Sequence, residues 1–359
     1  MITTFVTIVQ FLVILSALVL IHELGHFLTA RFFKMRVEEF GLGFPPKIKT
    51  ITKRGDTEYT LNWLPLGGFV RLKGEQGNED GAMDPDSFAS KPIWQRVIVL
   101  AAGVIMNVLL TIAVLTVGFT VGLPAFMDGA AQGGTVRDAA IIITRVASGS
   151  PAQKAGLETG DRIISFNGET MTETGQVRDY TKSRLGQNVE IRIKRGNEEL
   201  SKSATVEVLS ETKQPGIGIG FLQSGIVSYP IHIAFIEACK GTWFLTVGIL
   251  AALQNAVLQF NVDGFQGPVG IAVATGETAK LGYAYMLFLI AQLSLGLAIM
   301  NILPIPALDG GRILFAVIEK IRGRAVAAAT EGVIHTIGFF LLIALIILIT
   351  AKDIMRLVM

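Results

Sequence analysis

The sequence predicts a membrane α-helical fold: four transmembrane helices, a membrane-associated β-hairpin element and an inserted extracytoplasmic α+β domain. Three observations carry this. Of 359 residues, 51% are hydrophobic and only 17% charged, with mean hydropathy +0.54, whereas soluble domains carry roughly 25% charged residues. Apolar stretches near 4–26, 97–120, 283–303 and 333–350 match the run of about 20 residues that crosses a bilayer core of about 30 Å. Between them, 34–96 and 125–225 change to strand-like, turn-rich sequence.

The elements follow in order. "MITTFVTIVQ" opens the first span; it has no positive n-region and no cleavage pattern after it, so it reads as a membrane helix rather than a signal peptide. This span ends in "LIHELGH" at 20–26. In the block that follows, "VEEFGLGF", "KIKTIT" and "TEYTLNWLPLGGFVRL" read as strands, with "KRGD" at 53–56 as a tight turn. Open strand edges at membrane depth are tolerated only where protein buries them or they line a wet cavity. Eleven Lys/Arg lie between Arg31 and Arg96, and "EKIRGR" at 319–324 is also basic. The positive-inside tendency puts both on the cytoplasmic side, which leaves 125–225 outside.

That outer block pairs "ASGSPAQKAGLETGDRIISFNGE" (147–169) with alternating "NVEIRIKRG" and "SATVEVLS". It resembles a PDZ domain through Gly149-Ser150-Pro151, Ala155-Gly156-Leu157, Gly160-Asp161 and Asn167-Gly168. PDZ domains bind extended peptides or chain ends by strand addition; a spacer or size filter is an equal reading. The stretch 232–260 is apolar but interrupted by Glu237, Lys240, Gln254, Asn255 and Gln259. It is expected to lie in the outer interface or to re-enter, with Trp243 at the boundary. The division expected is 1–124, 125–225, 226–282 and 283–359.

The chemistry sits in two polar islands. His22 and His26 are four apart, about 40° of rotation on a helix, so both imidazoles face one way and can ligate one ion. Glu23 lies beside them without taking a ligand position. This is the His-Glu-x-x-His arrangement of zinc hydrolases. Zn²⁺ takes a third protein ligand and keeps one position for water; Glu23 would take the water proton and pass it to the leaving amine. Ionisable residues in a span are costly and normally functional, although a proton or ion pathway uses them too. The second island, "NILPIPALDGGRILF" at 301–315, ends another span. Pro304 and Pro306 break the helix, and Asp309, in a glycine turn, is an oxygen ligand able to complete a His₂Asp set. Capping the following helix is the alternative role for Asp309.

With these residues in view, the chain is similar to the site-2 protease family of intramembrane zinc metalloproteases, of the bacterial regulator-of-sigma-E type but with a single PDZ domain. The match runs through "HELGH", "PLGGFVRLKGE" (65–75), the PDZ-like block, "GPVGI" (267–271) and "NILPIPALDGG" (301–311). The resemblance implies cleavage inside substrate transmembrane segments. Substrates would be single-span membrane anti-sigma factors already cut outside, or remnant signal peptides. It implies His22, His26 and Asp309 as zinc ligands, Glu23 as the catalytic glutamate and Asn301 as a holder of substrate backbone. It further implies Pro65, Gly67, Gly68 and Phe69 within a β-element that binds substrate as an added strand. Two patterns depart from the family: Gly43-Phe44-Pro45-Pro46 replaces Gly-Phe-Gly-Pro, and Gly103-Val104-Ile105-Met106-Asn107 lacks the proline of Gly-Pro-x-x-Asn.

The remaining candidates read as structural. Cys239, the single cysteine, excludes an internal disulfide. His232 and His335 stand alone and are expected to pack or lie at interfaces. A net charge of +2 without a basic tail gives no expectation of nucleic acid. Two other functions use the same features: a membrane metal or proton transporter built on the His/Glu/Asp cluster, and a non-catalytic PDZ scaffold. Transporters of that sort show paired broken helices, and no second half matches 301–309.

Overall fold

The computed structural model describes residues 2–75, 84–126, 133–196, 198–209, 213–259 and 265–358. The chain divides into two compact units, Met1–Thr116 with Ala238–Met359, and Val117–Glu237.

In chain order, α1 (Ile2–Phe32) leads into β1 (Val37–Arg54), β2 (Thr57–Leu72) and α2 (Ile93–Val121). The second unit holds β3 (Leu123–Phe126), β4 (Thr135–Val146), α3 (Pro151–Lys154), β5 (Arg162–Phe166), β6 (Glu169–Thr170) and α4 (Thr174–Lys182). It continues with β7 (Asn188–Arg195), β8 (Glu198–Thr205), β9 (Glu207–Val208), β10 (Pro215–Gly216) and β11 (Ile219–Ser228). Then come α5 (Ile231–Gln259), α6 (Pro268–Leu281), α7 (Tyr283–Ile302), α8 (Asp309–Arg322) and α9 (Ala328–Val358).

Among the described residues five helices are long and apolar enough to cross a membrane, one more than the sequence count of four. The addition is α5, whose window has the lowest mean hydropathy of the five, 1.5. The chain is a multi-pass membrane protein.

The expected hairpin is present, turning at Gly55-Asp56, but it is folded over on itself. Phe40 pairs with both Val70 and Tyr59, and Leu42 with both Gly68 and Leu61, while Lys49 also faces Leu61. The rows therefore run 68–72, 37–42, 57–62 and 47–54. The corner in β1 falls at Gly43-Phe44-Pro45-Pro46, where Gly43 has φ +79°; prolines there have no N–H to give a ladder, so the strand bends rather than continues. One sheet face, with Val37, Phe40, Tyr59, Val70 and Leu72, packs on Phe27 and Ala30 of α1 and on Val99 and Leu100 of α2. That packing lays residues 68–72 along the helix that carries "HELGH".

Helix directions within the first unit follow from side-chain contacts. His22, late in α1, meets Asn301 at the end of α7, so α1 and α7 run the same way. α2 starts near this level, since Val99 reaches His26. The "GPVGI" segment is a helix start: Asp353 Oδ2 from α9 accepts the N–H groups of Gly267 and Gly270, both at 2.8 Å. A Cβ at either glycine would lie 2.9 Å from that oxygen, so the motif is the close-approach surface for a carboxylate cap from a distant helix.

The second unit is the PDZ-like β domain. Its sheet has the order β3-β11-β4-β5-β7-β8, with β6 on β5. Ile141, Ile143, Ile163, Phe166, Ile191 and Ile193 form its core with Val177 and Tyr180 of α4. The Gly160-Asp161 turn is more than a turn. Burial alone would push the Asp161 carboxyl up, yet Arg195 at 2.7 and 2.8 Å and the Glu158 N–H hold it below the usual carboxylate range.

Candidate metal centre

Two helices supply the centre, and a third closes it. On α1, His22 and His26 are buried, as the helical spacing requires. Asp309 is the first residue of α8, not a turn residue, and the position before the helix is Leu308. Its carboxylate therefore stands one residue inside the capping position. Asp309 Oδ2 lies 2.9 Å from His22 Nε2 and 3.4 Å from His26 Nε2, and the two Nε2 atoms are 3.1 Å apart. All three ligand atoms fall within 4.8 Å of one another.

The far side of each imidazole is also held. His26 Nδ1–H donates to the Val99 carbonyl at 2.8 Å, which leaves the Nε2 lone pair facing Asp309. His22 Nδ1 faces the Asn107 side-chain amide at 3.3 Å. Among the described residues Asn107 Oδ1 is buried with no partner when the nitrogen end faces the ring. The amide ends are isosteric; with Oδ1 toward the ring it accepts the Nδ1–H of His22. Asn107 is itself fixed, because its carbonyl accepts from Thr111 and from Ser294 of α7, at 2.9 and 2.8 Å. Such outer partners orient ligating histidines.

Gly103 is the floor of the pocket. A Cβ there would lie 2.5 Å from His26 Nε2 and 2.7 Å from His22 Nε2. In the sequence Gly103 and Asn107 stand out only as a family pattern with a missing proline. Their four-residue spacing, with one polar member in an apolar helix, was the available signal that they face one point.

The other predicted residues gather around this cluster. Glu23 Oε2 accepts the Val70 N–H at 3.1 Å, so the row 68–72 holds the glutamate beside the histidines. Gly67 and Gly68 pack against Val19 and Leu20 of α1. The Phe69 ring covers Gly41 across the sheet. Pro65 is anchored through its carbonyl, which accepts from Ser16 at 2.9 Å. Asn301 Nδ2 is 3.4 Å from His22 Nε2. Glu75, at the end of "PLGGFVRLKGE", forms a close ion pair with Arg312 in the first turn of α8. His335, expected to pack or lie at an interface, accepts a backbone N–H from Ala307. Among the described residues His232 and Cys239 have no place in this cluster.

Against known families, the model for peptidase family M50 matches residues 10–345. The chain belongs to peptidase family M50. Two M50-like relatives are full-length matches. One is the zinc metalloprotease RasP of Geobacillus kaustophilus, 30% identical over 99% of this chain and 99% of that protein. The other is the regulator of sigma-W protease RasP of Bacillus subtilis, 30% identical over 98% of this chain and 99% of its own. A solved PDZ domain of an SdrC-like protein from Listeria innocua is 28% identical over 23% of this M50 chain and 92% of that domain, with a TM-score of 0.21.

Proposed function

We propose that this M50 peptidase is an intramembrane endopeptidase that hydrolyses peptide bonds within the transmembrane segments of single-span membrane proteins. The observation that carries the reading is the convergence of His22, His26 and Asp309, with Glu23 alongside, from residues 287 positions apart. Two imidazole nitrogens and a carboxylate oxygen are a donor set that suits zinc with one position left open, and relatives bear the name zinc metalloprotease. When bound, zinc supplies Lewis acidity, polarising a carbonyl and making water at the site more acidic.

The chain's own residues do the rest. Glu23 takes the proton from the attacking water and delivers it to the leaving amine nitrogen. Val70 N–H keeps its carboxylate aimed. Asn301 holds substrate backbone beside His22, and the row from Pro65 through Gly67, Gly68 and Phe69 offers a strand edge. That edge answers a physical problem: a helical substrate hides its carbonyls, and unwinding it in lipid leaves groups that cost several kcal/mol each if unsatisfied.

The substrates are membrane anti-sigma factors or remnant signal peptides, already shortened by another protease. The Bacillus subtilis relative, named a regulator of sigma-W protease, supports a place in regulated intramembrane proteolysis. The location is the bacterial cytoplasmic (inner) membrane, with the active site toward the cytoplasm and the PDZ-like domain, 125–225, outside. There the groove between α4 and β11, about 280 Å³ and lined by Val177, Lys182, Gly218 and Phe221, takes peptide ends.

The four-crossing reading is kept for α5. Gly276 of α6 packs on Thr7, 15 residues or about 22 Å along α1 from His22. Asp353, which caps α6, lies about 27 Å along α9 from His335. α6 therefore begins and ends away from the centre, at the level where α7 starts. A single crossing by α5 would leave its end on the opposite side. Its exposed Trp243 and Phe244, 71% and 78%, suit an interfacial or re-entrant helix.

The test incubates the purified protein with single-span substrates and maps products by mass spectrometry. Cleavage inside the span is expected, abolished by a chelator and slowed about tenfold or more when leucines stiffen the scissile region. Equal rates for stiffened and native spans would remove the unwinding step from this account, and chelator-resistant cleavage would remove the metal.

A further inference from the structure

The turn that presents Asp309 is held from outside itself. It joins α7 to α8 through Leu303–Leu308, and its two prolines contribute no N–H groups. Ile305 N–H bonds to the Leu303 carbonyl at 2.7 Å, and Leu308 N–H to the Ile305 carbonyl at 3.2 Å. Between them Ala307 sits at φ +79°, in the left-handed region that a side chain disfavours. Its N–H donates to Nδ1 of His335, on α9, at 2.7 Å.

α9 has a second grip on the same turn. A Cβ at Gly338 would lie 2.5 Å from Pro306 Cβ and 2.6 Å from the Pro306 carbonyl oxygen. His335 and Gly338 are three apart and so share a helix face. Together they form a seat for Pro306 and Ala307, immediately before Leu308 and Asp309.

We propose that His335 is a positioning residue: through Ala307 it fixes the turn that sets the Asp309 carboxylate against His22 and His26. This rests on reading Asp309 as a metal ligand. An imidazole suits the task because Nδ1 offers one lone pair at a fixed reach while the proton stays on Nε2. Among the described residues Nε2 makes no hydrogen bond; Glu331 Oε1 is 3.7 Å from it, and the Phe315 ring centroid lies 5.4 Å from the imidazole's. The residue is thus used through one nitrogen. Asparagine places an accepting Oδ1 where Nδ1 stands, whereas leucine fills the space and accepts nothing.

The experiment loads the full-length protein with Co²⁺ and compares wild type, His335→Leu, His335→Asn and Gly338→Ala. Leucine is expected to weaken Co²⁺ binding about 10- to 100-fold, shift the visible d–d bands and lower kcat with little change in KM. Asparagine should restore the wild-type spectrum and bind within about threefold, the span left by a retained hydrogen bond. Gly338→Ala should shift the bands by pushing Pro306. The proposal is overturned if His335→Leu keeps the wild-type spectrum and affinity while only its melting temperature falls, or if asparagine behaves as leucine does. If Asp309→Asn leaves wild-type Co²⁺ binding untouched, the ligand reading fails first and the role of His335 goes with it.

Discussion

Replacing Glu23 by glutamine is expected to slow cleavage of a membrane-span substrate about 10³-fold, within the range for loss of a general acid–base group, while bound zinc stays stoichiometric. Glutamine keeps the shape and can still approach the Val70 N–H that the carboxylate now accepts, so packing of β2 on α1 should survive. What it cannot do is take a proton from water. Rate and metal content, measured on the same preparation, separate the roles. Lost zinc would make Glu23 a ligand, and an unchanged rate would end its part in the chemistry. A scaffold would retain partner binding and lose nothing, because no step in it requires the proton transfer.

The second large effect is expected from one methyl group. In Gly103→Ala the new Cβ would stand 2.5 Å from His26 Nε2 and 2.7 Å from both Cε1 and Nε2 of His22, closer than carbon and nitrogen approach without a bond. Either the imidazoles turn away or α2 moves off α1. The second route would pull apart the close packing of α1 on α2, where Gly25 lies against the Ala102 carbonyl and a Cβ would be 2.4 Å from its oxygen. Zinc affinity should fall at least about 100-fold, the upper range for changes beside metal ligands, with cleavage lost in parallel. Gly296→Ala in α7, where a Cβ meets nothing within 4 Å, is the control and should bind zinc as the parent does. Equal affinity in Gly103→Ala would mean that the ion sits elsewhere.

How much of this was readable from sequence depends on how far each interaction reaches. His22, Glu23 and His26 announce themselves, because helical spacing aligns the histidines and lipid makes three ionisable groups expensive. Asp309 was found by a second anomaly, two prolines ending a span. The Gly55-Asp56 turn was visible, but the fold-over at Gly43–Pro46 was not, since a Pro-Pro pair reads equally as a loop. Gly103 resembled any small residue in an apolar helix; only the position of two imidazoles on another helix gives its missing Cβ a meaning. The same holds for Gly267 and Gly270, whose carboxylate partner is Asp353. His335 carried least signal of all. A lone histidine in a span says that a partner is needed, and nothing local says that the partner is a backbone N–H 28 residues earlier.

One ion shared by residues of α1 and α8 is central to the proposed chemistry. The most direct measurement is zinc K-edge X-ray absorption on the purified protein, with His22→Ala, His26→Ala and Asp309→Asn alongside. One zinc per chain is expected, with two imidazole nitrogens and a carboxylate oxygen at about 2.0–2.2 Å, and each substitution should deplete it. Zinc whose first shell is unchanged by all three substitutions would contradict the centre described.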